Sequence, residues 1–148
     1  MTGSILQQLR ESLPATAEEL GSCRDNNCLA DTRTLDAIII KGESVAANGE
    51  KAADCIIFFV HGGRIYVAII ELKSKTYHAS SIVEKVRNSE RFARALLLAA
   101  GVNAASVIRA VFAKGGHPAV TAPEYVLLVK RGGITLRRCG QSVAELVA

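Results

Sequence analysis

Three residues carry the most specific chemistry in this chain. Asp54 opens the apolar run 54–60 (DCIIFFV); Glu71 closes the run 65–72 (IYVAIIEL), and Lys73 follows it. The two runs are joined by His61-Gly62-Gly63-Arg64, where adjacent glycines supply the positive φ of a tight hairpin turn. The strands are then antiparallel neighbours, and the start of one lies beside the end of the other. Asp54 and Glu71 stand equally far from the turn, so they are expected to face each other. Side chains alternate along a strand, which puts Glu71 and Lys73 on one face and Leu72 on the other. Two carboxylates and a lysine at the corner of an apolar sheet are costly without a partner or a metal. Two oxygen ligands suit Mg²⁺, which keeps several waters and polarises a phosphate. A nearby ammonium can orient water and offset charge that builds on phosphorus. The competing reading is an Asp–Glu–Lys ion cluster where strands emerge into solvent. E-x-K alone is a common tripeptide, and its pairing with Asp54 across a hairpin is what gives it specificity.

Positioning these residues takes a sheet and helices. Ile5, Leu6, Leu9 and Leu13 form an apolar stripe at helical spacing, broken at Pro14. Thr16 and Glu19 have capping-box spacing for a short second turn ending at Gly21. Residues 22–34 read as polar loop. Strands follow at 35–40, 54–60 and 65–72, the last two apolar enough for a sheet buried on both faces. A long helix is expected over 80–100, capped by Ser80 or Ser81 and stopped at Gly101. Ile82, Val86, Ala93, Leu97 and Ala100 share one face of it; Arg87, Arg91 and Arg94 lie opposite. A strand at 107–113, another at 125–130, a Gly132-Gly133 turn and a short strand at 134–137 follow, with a last helical turn over 142–147. The expected fold is α/β: a mixed central sheet flanked by helices, with a parallel strand–helix–strand crossover and a C-terminal β-hairpin.

The order helix–strand–strand–strand–helix–strand, with an acid opening the second strand and E-x-K on the third, resembles the PD-(D/E)xK nuclease superfamily. That group includes restriction endonucleases and archaeal Holliday junction resolvases. In topology the resemblance covers residues 1–115; in motif it rests on Ala53-Asp54 and Glu71-Leu72-Lys73. Ala53 stands where the family's name expects Pro. The resemblance implies a restriction endonuclease-like αβββαβ core and hydrolysis of DNA phosphodiesters dependent on Mg²⁺ (or Mn²⁺). Carried over, Asp54 and Glu71 would be metal ligands, the backbone carbonyl of Leu72 a third, and Lys73 the catalytic lysine. Many members add an acid from the first helix. Glu19 is the candidate here, ahead of Glu11 and Glu18, although the Thr16–Glu19 cap explains it equally well. Members often place a polar residue of the following helix near the site, for which Lys85 is preferred to Glu84. Lys75, Arg87, Arg91 and Arg94 would meet nucleic-acid phosphates, against the simpler reading of a solvated helix face. A small domain has room for one site, so cutting both strands is expected to need a homodimer.

Composition bounds these readings. The 148 residues are the size of one domain, 1–148, and 49% hydrophobic against 22% charged residues excludes disorder. The net charge of +4 permits contact with phosphates without establishing it. Aromatics are 5% with no Trp, which disfavours base stacking and favours a grip on the backbone. Apolar runs fall short of the roughly 20 residues that span a bilayer, and the first residues lack a signal-peptide stretch, so no membrane contact and a cytoplasmic location are expected. Cys23, Cys28, Cys55 and Cys139 then read as reduced loop and core residues, with a Cys23–Cys28 bridge as the alternative. His61, His78 and His117 read as loop histidines, and no phosphate-binding glycine motif is present. Arg131, Arg137 and Arg138 form a second basic patch. Two other readings keep the fold: a nucleic-acid-binding module without activity, and a structural subunit with no nucleic acid at all.

Overall fold

The computed structural model describes residues 2–25, 27–73, 78–103, 105–114 and 122–147. Helix α1 (Thr2–Ser12) ends ahead of Pro14 and buries Leu6 and Leu9. Short strands β1 (Glu19–Leu20), β2 (Cys23–Asp25) and β3 (Cys28–Ala30) follow, then β4 (Asp36–Lys41), β5 (Cys55–His61) and β6 (Arg64–Lys73). Helix α2 (Ala79–Ala99) leads to β7 (Ser106–Ala113). Helix α3 (Ala122–Tyr125) continues directly into a π-helical turn (Val126–Arg131), and β8 (Ile134–Arg138) ends the sheet.

The main sheet runs β1-β4-β5-β6-β7-β8, while β2 and β3 form a separate hairpin. The pairs from β1 to β6 are antiparallel; β6–β7 and β7–β8 are parallel. The α/β class and the mixed sheet are therefore as the sequence implies. The β5–β6 turn holds Gly62 at φ 59° and Gly63 at φ 77°, the left-handed pair that a two-residue hairpin loop requires.

Alternation splits the buried strands between two layers. Ile56, Phe58, Val67, Ile69 and Val111 face α1 and α2, against Leu9, Ile82, Val86 and Ala93. Ile57, Phe59, Ala68, Ile70 and Phe112 face the other way, under the β2–β3 hairpin and Val143. Burying each large aliphatic or Phe side chain contributes roughly 1.5–3 kcal/mol, so both faces of β5 and β6 act as core. Asp54, Glu71 and Lys73 continue the helix-side row.

Several segments differ from the sequence reading. Glu19 is in a strand, paired with Ile40, and does not cap a helical turn. The segment 22–34 contains β2 and β3, whose Cys23, Cys28 and Ala30 are fully buried. No Cys23–Cys28 bridge forms: Cys23 is bonded to Cys55 and Cys28 to Cys139, fastening the hairpin to the sheet. The cysteines are thus disulfide-bonded rather than reduced. Helix α2 begins at Ala79 with His78 in the cap position, so neither Ser80 nor Ser81 is its cap. Residues 125–130 are helical, so the C-terminal β-hairpin is absent. A short apolar run such as VLLV fits strand and buried helix equally, and a parallel β8 needs a crossover there. The last turn exists as a 3-10 turn (Val143–Leu146) with Ser142 Oγ accepting from the Ala144 N–H at 3.1 Å. Among the described residues no helix is long and apolar enough to cross a membrane.

Candidate active site

Asp54 sits one residue ahead of β5. The register Cys55↔Ile70, extended by one, sets it opposite Glu71. Each carboxylate accepts a backbone N–H from the other strand. The Asp54 N–H donates to Glu71 Oε1 at 3.1 Å, and the Leu72 N–H donates to Asp54 Oδ2 at 2.7 Å. A residue's N–H and C=O leave a strand on the same side, so the Leu72 carbonyl also emerges toward Asp54.

The segment before Asp54 is held from two directions. Helix α2 holds it through Ser89 Oγ, which accepts the Ala53 N–H at 2.8 Å, and Asn88 Nδ2, which donates to the Lys51 carbonyl at 3.0 Å. The 3-10 turn after β4 (Gly42–Val45) holds it through the Gly42 N–H, 3.1 Å from the Asp54 carbonyl. This approach demands glycine: a Cβ on Gly42 would lie 1.9 Å from the Ala53 carbonyl oxygen.

Two lysines converge on Glu71, which is 1% exposed. Lys85 Nζ is 2.9 Å and Lys73 Nζ 3.5 Å from Glu71 Oε2. Burial pushes the Asp54 carboxyl up to about 7, helped by the adjacent Glu71 carboxylate and opposed by the Leu72 N–H and Lys73. Burial works against the Lys85 ammonium, but its contact with Glu71 outweighs this and raises its pKa. Asp54 and Lys85 open on a cleft of about 370 Å³, also lined by Lys41, Glu43, Glu50 and Lys51.

The donors fit a small hard cation. Among the described residues no three His, Cys, Asp or Glu side chains converge, so an ion here would rest on Asp54, Glu71, the Leu72 carbonyl and water. That set suits Mg²⁺, which is commonly held by one or two carboxylates and keeps several waters. Glu71 Oε2 is engaged by Lys85, so an ion at that oxygen would displace the ammonium.

The remaining expected residues are spread more widely. Glu19 is not brought to the pair: it bonds Arg10 at 2.8 Å, on the far side of β4. Lys75 lies outside the described residues. His78 is 3.8 Å from Glu124. Arg91 meets Glu50 at 3.3 Å and Arg94 meets Glu90 at 2.8 Å. With Arg87 they line a cleft that Arg131 also lines, so Arg131 joins the α2 stripe. Ser89, Gly42 and Arg109 were not anticipated. Their signals were a hydroxyl in the Ile82–Val86–Ala93 stripe, a glycine directly after a strand, and an arginine inside an apolar strand.

The chain matches no protein-family model, no curated protein and no solved structure, so the functional reading rests on this geometry.

Proposed function

We propose that this protein is a metal-dependent nuclease of the PD-(D/E)xK type, hydrolysing phosphodiester bonds of DNA. The observation that carries the reading is the interlocked Asp54–Glu71 pair across β5 and β6, with Lys73 on the same face and in contact with Glu71. The succession α1, β4, β5, β6, α2, β7, with three antiparallel strands and then a parallel one, supports a restriction endonuclease-like core.

A bound Mg²⁺ or Mn²⁺ would supply a Lewis acid for the scissile phosphate. Asp54, Glu71 and the Leu72 carbonyl would hold it. Lys73 Nζ would donate to a phosphoryl oxygen and orient the attacking water, steadying the negative charge that grows as the new P–O bond forms and the old one breaks. Lys85 would hold Glu71 in place until the ion arrives. A homodimer would bring two such sites to a duplex.

One observation favours the second reading, a nucleic-acid-binding or structural module without activity. Lys73 and Lys85 already neutralise Glu71, so the cluster is electrostatically complete without an ion. Cleavage assays separate the two. Purified protein with Mg²⁺ or Mn²⁺ is expected to cut linear, branched or single-stranded DNA, and Asp54→Ala or Lys73→Ala to lose at least about a hundredfold in rate, as removal of a charge-stabilising group does elsewhere. No cleavage of any of these substrates over a range of salt, or full activity in both variants, would sink the proposal.

A further inference from the structure

A second charged feature lies across α2 from the carboxylates. Two positions on an α-helix are about 200° apart, so Arg87 points away from Lys85. On that side a cleft of about 610 Å³ is lined by Arg87, Arg91 and Arg94 of α2, Arg109 of β7, and Lys130 and Arg131 of the π turn. Among the described residues, Glu90 is the single acid that lines it. Six cations and one carboxylate line the cleft, and even with Glu50 pairing Arg91 from outside it at 3.3 Å a net charge of about +4 is gathered at this one place.

The cleft is organised as well as charged. Glu90 accepts from Arg94 Nε at 2.8 Å and from Arg109 Nη2 at 2.9 Å, so one carboxylate fixes two guanidinium groups. Burial opposes ionisation of Glu90, but the bonds from Arg109 and Arg94 outweigh it and hold its carboxyl below the usual range. Arg87, Lys130 and Arg131 line the cleft as exposed side chains. A π turn, a rare element frequent at functional sites, brings the last two to the cleft beside α2. Guanidinium forks match phosphate oxygens in pairs. Arg87, Arg91 and Arg94 recur three or four residues apart on α2, which sets them in one row along the helix.

We propose that this cleft is a phosphate-binding groove for a nucleic-acid strand, gripping the backbone on the flank of α2 opposite the Asp54–Glu71 pair. The inference rests on the nuclease reading for the identity of the polyanion, and binding without metal tests it separately from cleavage.

The experiment is fluorescence anisotropy of a labelled single-stranded oligonucleotide in EDTA over a range of salt. Variants are the double Arg87→Gln/Arg131→Gln, its Lys counterpart, and Arg33→Gln on the far side of the sheet. Losing two backbone contacts is expected to make the slope of log affinity against log salt shallower by about 1.4 and to weaken binding about tenfold at low salt. The Lys double variant is expected to keep the wild-type slope, and Arg33→Gln the wild-type affinity. Wild-type affinity and slope in the Gln double variant would overturn the proposal. So would an absence of oligonucleotide binding by the wild type, or displacement of the strand by polyglutamate as readily as by polyphosphate of equal charge. Weakened binding in the Gln variant, in a protein that never cleaves with Mg²⁺, would keep the groove and reject the nuclease.

Discussion

Asp54 concentrates the chemistry of the site at the residue scale. Its carboxyl is raised from 3.8 to about 7 by burial and by Glu71. Between those values the folded protein binds more protons than the unfolded chain, so this group's contribution to stability falls as pH rises. Asp54→Asn removes the charge and keeps an acceptor for the Leu72 N–H. In EDTA the wild type is therefore expected to lose melting temperature relative to Asp54→Asn as pH rises from 4 to 7, and to be the less stable of the two above 7. Added Mg²⁺ is expected to restore the wild type alone, with affinity weakening by up to about tenfold per unit below 7 as protons compete. Parallel pH profiles for the two proteins would contradict this. The pair was legible in the sequence because a two-residue hairpin leaves one register, and alternation then fixes which side chains meet. Lys85 was legible through helical phase. Arg109 was not, because a strand read for apolar pattern hides one charge whose partner, Glu90, lies on a different element.

At the element scale, α2 and the turn after β4 place Asp54. Gly42→Ala would drive a methyl into the Ala53 carbonyl oxygen, 1.9 Å away, and overpacking of this kind costs about 1–3 kcal/mol. Ser89→Ala would leave the buried Ala53 N–H without its partner, a loss of about 1–3 kcal/mol. Both variants are expected to unfold at lower urea and to cut more slowly than the stability loss alone explains, since each lets Asp54 move. An unchanged rate with an unchanged urea midpoint would show that the tie does not matter. The long helical stripe of α2 and the apolar runs of β5 and β6, bounded by a glycine turn, were read within a residue or two from the sequence. β2 and β3 were not, because three-residue strands among polar neighbours show no alternation, and burial of Cys23 and Cys28 comes from tertiary bonds. Residues 125–130 misled for another reason: VLLV carries no period, and only the parallel direction of β8 requires a helix before it.

At the scale of the whole molecule, the two disulfides tie the β2–β3 hairpin to the face of the sheet opposite α1 and α2. Their loops differ, with sequence separations of 32 for Cys23–Cys55 and 111 for Cys28–Cys139. Chain entropy assigns these about 4 and 5 kcal/mol, so Cys139→Ser is expected to lower the urea midpoint slightly more than Cys23→Ser, with both below the wild type. Equal stability with and without reductant would reject a structural role for the bonds. Disulfides persist in oxidising compartments or inside hyperthermophiles, and the thiol content of protein taken from its native cell distinguishes these from a reducing cytoplasm. Reduced cysteines, with a Cys23–Cys28 bridge as the alternative, were what local spacing suggested; the true pairs depend on which elements stack, and that stacking was not visible. The net charge was visible, but its concentration between α2 and the π turn required the helix that the sequence reading placed as a strand.

The central claim is that Asp54 and Glu71 form one divalent-cation site. The most direct test is a titration with Mn²⁺ at pH 7.5, followed by the loss of free-ion signal in electron paramagnetic resonance. One saturable site per chain is predicted, absent in Asp54→Ala and retained in Lys73→Ala. No saturable binding by the wild type, or binding of equal strength in Asp54→Ala, would contradict the account.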